Sequence, residues 1–158
     1  MKEYENELYK KGIKLIAGVD EVGRGPLVGP VVCACVILKE DYYNEEINDS
    51  KKISEKKREK LYDTIMQEAL SVGIGISSAK VIDEVNILQA TKIAMKEAIN
   101  NSKIKPEHVL IDAVKLDIDI PSTPIIKGDA KSQSIAAASM CAFVPYPLFF
   151  LNKYCGYF

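Results

Sequence analysis

The sequence predicts an α/β domain built on a mixed sheet, and three observations carry that expectation. Short apolar runs bounded by turn residues alternate with segments of helical periodicity. One run, Val109 to Ile111, is apolar at every position and closes on Asp112, the form of a strand buried on both faces. The chain of 158 residues, 47% hydrophobic and 27% charged, suits one domain with a real core.

The elements follow in order. Lys14 to Glu21 and Val28 to Leu38 read as two strands, with turn signals at Gly25-Pro26 and Gly29-Pro30 between them. Ser54 is a good N-cap for "EKKREKLYDTIMQEAL", whose Leu61, Ile65, Ala69 and Leu70 recur at helical spacing. "SVGIGIS", Ser71 to Ser77, alternates Val72, Ile74 and Ile76 against small residues and predicts a strand with glycines on one face. From Ala79 to Asn100 the spacing of Ile82, Val85, Leu88, Ile93, Ala94 and Ala98 predicts one or two helices. After the Val109 strand, Ile125 to Lys127 reads as another short one. "AKSQSIAAASMCA" from Ala130 has strong helical propensity and a small-residue face suited to close packing on a sheet.

Bulk properties exclude several classes. A net charge of −1 gives no global attraction to nucleic acid or anionic lipid, so any polyanion must be held by local charge. "MKEYENELYKKG" lacks the apolar core of a secretory signal, and no window approaches the ~20 apolar residues of a membrane span, so no membrane role is expected. Four cysteines (Cys33, Cys35, Cys141, Cys155) form no disulfide framework, which points to the reducing cytoplasm. Cys33 and Cys35 would share one strand face as apolar fillers. His108, the single histidine, reads as an ordinary residue before a strand and argues against His-based catalysis or zinc.

The carboxylates carry the chemistry. In "IAGVDEVGRGPLVGPVV", Asp20 and Glu21 interrupt a strand, where both residue types are disfavoured. Asp112 ends an apolar run, and Asp129 follows Lys127-Gly128 just before a helix. Ligands bind at the carboxyl ends of strands in open α/β sheets. Acids converging there repel one another unless cations neutralise them, and hard oxygen donors select Mg²⁺ or Mn²⁺. Such a cluster suits two-metal phosphodiester hydrolysis. Neighbours on a regular strand face opposite ways, so Asp20 and Glu21 can share a site only if the strand ends or twists there, and Gly23 is placed to permit it. For Asp129, N-capping alone would also suffice.

Gly23, Arg24 and Gly25 offer approachable main-chain N–H groups and one guanidinium, and main-chain contact to a ribose 2′-hydroxyl is one way to tell RNA from DNA. A tight turn explains the glycines equally well. Lys51, Lys52, Lys56, Lys57, Arg58 and Lys60 form one basic concentration, read either as a solvated helix face or as phosphate contact from the loop lysines.

These segments, together with "DSKKISEKKREKLY", "ISSAKVIDEVNILQATKIAMKEAI", "VLIDA" and "KGDAKSQSIAAAS", resemble ribonuclease HII, the type 2 ribonuclease H family, in order and spacing over roughly residues 3 to 142. The resemblance implies a ribonuclease H-like fold with a central five-stranded mixed sheet flanked by helices. It implies cleavage of the RNA strand of RNA–DNA hybrids and incision at ribonucleotides embedded in duplex DNA, leaving 5′-phosphate ends. Position by position it makes Asp20, Glu21, Asp112 and Asp129 ligands of Mn²⁺ or Mg²⁺, with Asp20 bridging, and Gly23, Arg24 and Gly25 a junction-sensing loop. Lys51 and Lys127 are candidates for phosphate contact, and a monomer is expected.

The resemblance divides the chain at residue 142. Beyond it Lys153 is the only charged side chain, while Phe143, Tyr146, Phe149, Phe150, Tyr154, Tyr157 and Phe158 crowd together with Pro145 and Pro147. Residues 143–158 thus read as an atypical aromatic tail, the mark of a truncated or frameshifted gene product. Two competing readings stay open at this stage. One is a folded but inactive nucleic-acid-binding domain, and the other is a carboxylate-metal phosphatase or different nuclease.

Overall fold

A computed structural model describes residues 1–23, 29–48 and 52–143. The order is α1 (Glu3–Lys10), β1 (Ile16–Val22), β2 (Val31–Ile37), α2 (Glu55–Glu68), β3 (Ser71–Ser77), α3 (Ala79–Val85), α4 (Ile87–Asn100), β4 (His108–Asp112), β5 (Ser122–Ile125), a 3-10 turn (Gly128–Ala130) and α5 (Gln133–Phe143). The five strands lie in the order β3-β2-β1-β4-β5. β1, β2 and β3 pair antiparallel, whereas β4 and β5 run parallel to β1, so the sheet is mixed as expected.

Alternation along the strands sorts side chains into two cores. Val19, Cys33, Cys35 and Ile111 face α4, with Met95 and Ile99. Val32, Ala34 and Val36 face the other way, onto α5 and then Leu61 and Ile65 of α2. Glycines set the helix–sheet distance. A Cβ at Gly18 would collide with the backbone of Ser134 and Ile135 in α5, and one at Gly75 with the Ala94 carbonyl in α4. α5 is buried from Gln133 to Ala142, and its run of alanines and serines permits that depth.

Local signals explain most boundaries. Ser54 caps α2 by accepting from the Lys57 amide at 3.3 Å, and Ser78 caps α3 through Val81. The Ala79–Asn100 segment is two helices, because Asn86 takes φ 77° and caps α4 by accepting from the Gln89 amide at 3.0 Å.

Two expectations need correction. The last strand is Ser122–Ile125 and not Ile125–Lys127, since pairing to β4 aligns Asp112 with Ile125, after which Lys127 turns into the left-handed region at φ 55°. α5 begins at Gln133 and not at Ala130, because the 3-10 turn intervenes and the Ser132 hydroxyl takes the Ile135 amide. The sequence reading also assigned no element to the N-terminal segment. Glu3–Lys10 is helical without a capping side chain, held by Leu8 and Tyr9 packing on the core and by buried Glu5, whose Oε2 accepts from the Ser132 hydroxyl and the Ser134 amide, both at 2.9 Å. No described helix is long and apolar enough to cross a membrane.

Candidate metal centre

β1 and β4 are adjacent and parallel, so their carboxyl ends meet at one edge of the sheet. Asp20 and Glu21 stand just before the last residue of β1, Val22, and Asp112 ends β4. One oxygen from each of these three carboxylates lies within 4.8 Å of the others. Asp20 faces the α5 side and is only 4% exposed, while Glu21 and Asp112 are half-buried. Gly23, just past β1, adopts φ 101°, which only glycine takes without strain, and the strand ends there, after Val22.

Backbone amides fix the carboxylates. Asp20 Oδ1 accepts from the Glu21 amide at 2.8 Å, and Asp112 Oδ1 accepts from the Gly128 amide at 2.7 Å. The turn after β4 is strained, with Ala113 at φ 57°, as is Lys127 at φ 55°. Non-glycine residues in this region carry a penalty of roughly 1–2 kcal/mol and concentrate where a site is over-determined by its surroundings. Burial, then the charges of Glu21 and Asp112, push the Asp20 carboxyl well above the usual carboxylate range.

This donor set fits a divalent cation. It consists of hard oxygens, clustered tightly enough that mutual repulsion already penalises ionisation of the most buried member. A bound cation would remove that penalty.

The remaining expected residues divide. Asp129 lies in the 3-10 turn, 8% exposed and next in sequence to the glycine that holds Asp112, but does not join the group of three. Lys127 is exposed beside the turn. Arg24, Gly25 and Lys51 lie outside the described residues. His108 opens β4 with Nε2 at 2.8 Å from the Thr123 hydroxyl, an ordinary strand-pair role, and burial lowers its pKa. Cys33 and Cys35 are fully buried on one face as apolar fillers. Reading the sequence missed Gly128 as the donor that orients Asp112. Its place in a Lys-Gly-Asp segment was the one available sign.

Comparison with known proteins agrees with this architecture. The sequence pattern of ribonuclease HII matches residues 17–146. Relatives named ribonuclease HII include those of Bacillus mycoides, 54% identical, and Bacillus cytotoxicus, 55% identical, each aligned over 99% of this chain. The chain spans 65% of the length of these relatives. Among solved structures, ribonuclease H2 from Pyrococcus horikoshii superposes with a TM-score of 0.73 at 28% identity, covering 88% of this chain and 76% of that one. With the matched pattern extending across the whole sheet and its carboxylate edge, the chain belongs to the ribonuclease HII family.

Proposed function

We propose that this protein is a metal-dependent endoribonuclease, cleaving the RNA strand of RNA–DNA hybrids and incising at ribonucleotides embedded in duplex DNA. One observation carries the reading: Asp20, Glu21 and Asp112 converge within 4.8 Å at the carboxyl ends of two adjacent parallel strands. Similarity to the ribonuclease HII relatives supports the substrate class.

In this reading Asp20, Glu21 and Asp112 would hold Mn²⁺ or Mg²⁺, with Asp129 as a fourth ligand. Bound cations would neutralise charge on the phosphodiester and lower the pKa of the attacking water. Asp112, held by the Gly128 amide, keeps its carboxylate aimed while phosphate approaches. Gly23, Arg24 and Gly25 contact the ribonucleotide through main-chain groups and one guanidinium, and Lys51 and Lys127 contact phosphates. We assign residues 1–142 to the catalytic unit and 143–158 to an aromatic tail. The enzyme acts as a cytoplasmic monomer, and the buried free thiols of Cys33, Cys35 and Cys141 suit a reducing compartment.

The test is cleavage of a DNA duplex carrying one ribonucleotide, in Mn²⁺ or Mg²⁺, beside the same duplex in all-DNA form. The expected result is a cut only at the ribonucleotide, leaving a 5′-phosphate end. Cleavage of both duplexes, or of neither, would overturn the proposal.

A further inference from the structure

An acidic centre at the end of a sheet repels the polyanion it is meant to cut, and a net charge of −1 supplies no compensating field. Positive charge must therefore be concentrated nearby. As a source, the basic helix α2 has two of its four cations already engaged. Lys57 pairs with Glu46 at 3.5 Å, and Arg58 stacks over the Phe143 ring at 3.9 Å with Nε and Nη1 buried.

The α4 side of the sheet offers a better one. Gln89, Lys92 and Lys96 of α4 and Lys115, Leu116 and Asp117 beyond β4 line an open cavity of about 490 Å³. Three ammonium groups there face a single carboxylate, and no ion pair among the described residues engages Lys92, Lys96 or Lys115. Position matters as much as charge. Lys115 stands three residues beyond Asp112. α4 runs antiparallel to β3, so its first turns lie at the carboxylate edge. The Thr91 carbonyl there accepts from Cys33 Sγ at 3.9 Å, and Cys33 is the strand partner of Glu21. Lys92 and Lys96 are one helical turn apart, roughly 5–6 Å between Cβ atoms, which suits successive phosphates of one strand. Separate ammonium groups along an open groove bind phosphates as point charges and read no base.

We propose that Lys92, Lys96 and Lys115 form a backbone-phosphate groove that carries a nucleic-acid strand past the carboxylate centre on its α4 side. This deepens the endoribonuclease reading and rests on it for the orientation of the strand, but its test does not depend on cleavage.

Binding of a fluorescently labelled RNA–DNA hybrid by the full chain is measured by anisotropy in EDTA across a series of KCl concentrations. Each lost phosphate contact removes about 0.9 from the slope of log K against log salt. K92Q/K96Q/K115Q is expected to lower the slope by about two to three and weaken binding about tenfold or more at low salt, and K115Q alone to lower the slope by about one. K92R/K96R/K115R should keep the wild-type slope. So should K10Q/K39Q/K105Q, which removes equal charge at lysines paired to Glu7, Glu68 and Asp119. Circular dichroism confirms that each variant folds. An unchanged slope and affinity in K92Q/K96Q/K115Q, or an equal loss in K10Q/K39Q/K105Q, overturns the groove. If the wild type fails to cut the embedded ribonucleotide yet shows the lysine-dependent slope, the endoribonuclease reading falls and the groove stands. Cleavage without that slope is the reverse.

Discussion

The Gly128 amide donates to Asp112 Oδ1 at 2.7 Å, tying a turn before α5 to the end of strand β4. A Cβ at Gly128 would stand 2.6 Å from Ile135 Cδ1 and 3.3 Å from Asp112 Oδ1. Ile135 is fully buried, so its Cδ1 can give way only by disturbing the packing around it. Gly128→Ala should therefore displace the Asp112 carboxylate and lower cleavage and metal affinity by about 10- to 100-fold, the usual effect of disturbing a ligand's hydrogen-bond partner. Calorimetric Mn²⁺ titration alongside cleavage kinetics checks it, and wild-type affinity would show that the amide is not what aims Asp112.

Asp20→Asn keeps the side-chain volume while removing the central charge. Cleavage should fall below detection with the circular dichroism spectrum unchanged. Full activity in this variant would refute the assignment of Asp20 as a ligand.

Asp20 also links stability to pH. Its carboxyl titrates above the ordinary value of 3.8, so the folded chain binds this proton more tightly than the unfolded chain. The stabilisation is complete below the unfolded value and is lost as pH rises from there through the folded value. Thermal midpoints of the metal-free protein should accordingly decline over that window, and Mn²⁺ should reverse the decline by favouring the ionised carboxylate. Asp20→Asn should remove the slope and raise the metal-free midpoint at neutral pH by a few degrees, given that ~1 kcal/mol moves a domain of this size by about 2–4 °C. Midpoints that rise with pH in the wild type but not in Asp20→Asn would contradict the sign.

Gly18 and Gly12 make opposite demands. At Gly18 a Cβ meets α5 backbone, which cannot yield, whereas at Gly12 nothing lies within 4 Å and only φ 85° is at issue. Gly18→Ala should lose roughly 3 kcal/mol or more, or fail to fold, while Gly12→Ala should lose roughly 1–2 kcal/mol. Urea unfolding of the two variants decides this.

Burial pushes the Cys35 and Cys141 thiols up to about 12, so neither forms thiolate near neutral pH. Iodoacetamide at pH 8 should leave both unmodified in the folded protein and label both in urea, as read by peptide mass mapping. Rapid labelling of Cys141 without denaturant would mean that α5 opens readily.

Much of this was legible in the sequence because the signals are local. Asp20-Glu21 announced itself by interrupting an apolar strand, Asp112 by closing one, and Ser54 and Ser78 by capping chemistry that acts within three residues. α1 left no such mark, since Glu5 looks like any solvent-facing acid until Ser132 and Ser134 arrive from over a hundred residues away. The same holds for the last strand, whose register comes from β4 and not from its own residues. Lys92, Lys96 and Lys115 were likewise lost among 21 basic residues, because nothing in their spacing shows which ammonium groups lack a carboxylate partner.

By itself the sequence determined the class of chemistry, because residue type decides what a side chain can ligate, and it determined the alternation of strand and helix, because periodicity decides which face is apolar. Tertiary structure decided which acids meet. Parallel pairing of β1 with β4 brings Asp112 beside Asp20 and Glu21, while Asp129 sits in the 3-10 turn and does not join that trio. Charge repulsion and desolvation act over a few ångströms of space, and only the folded chain sets those distances.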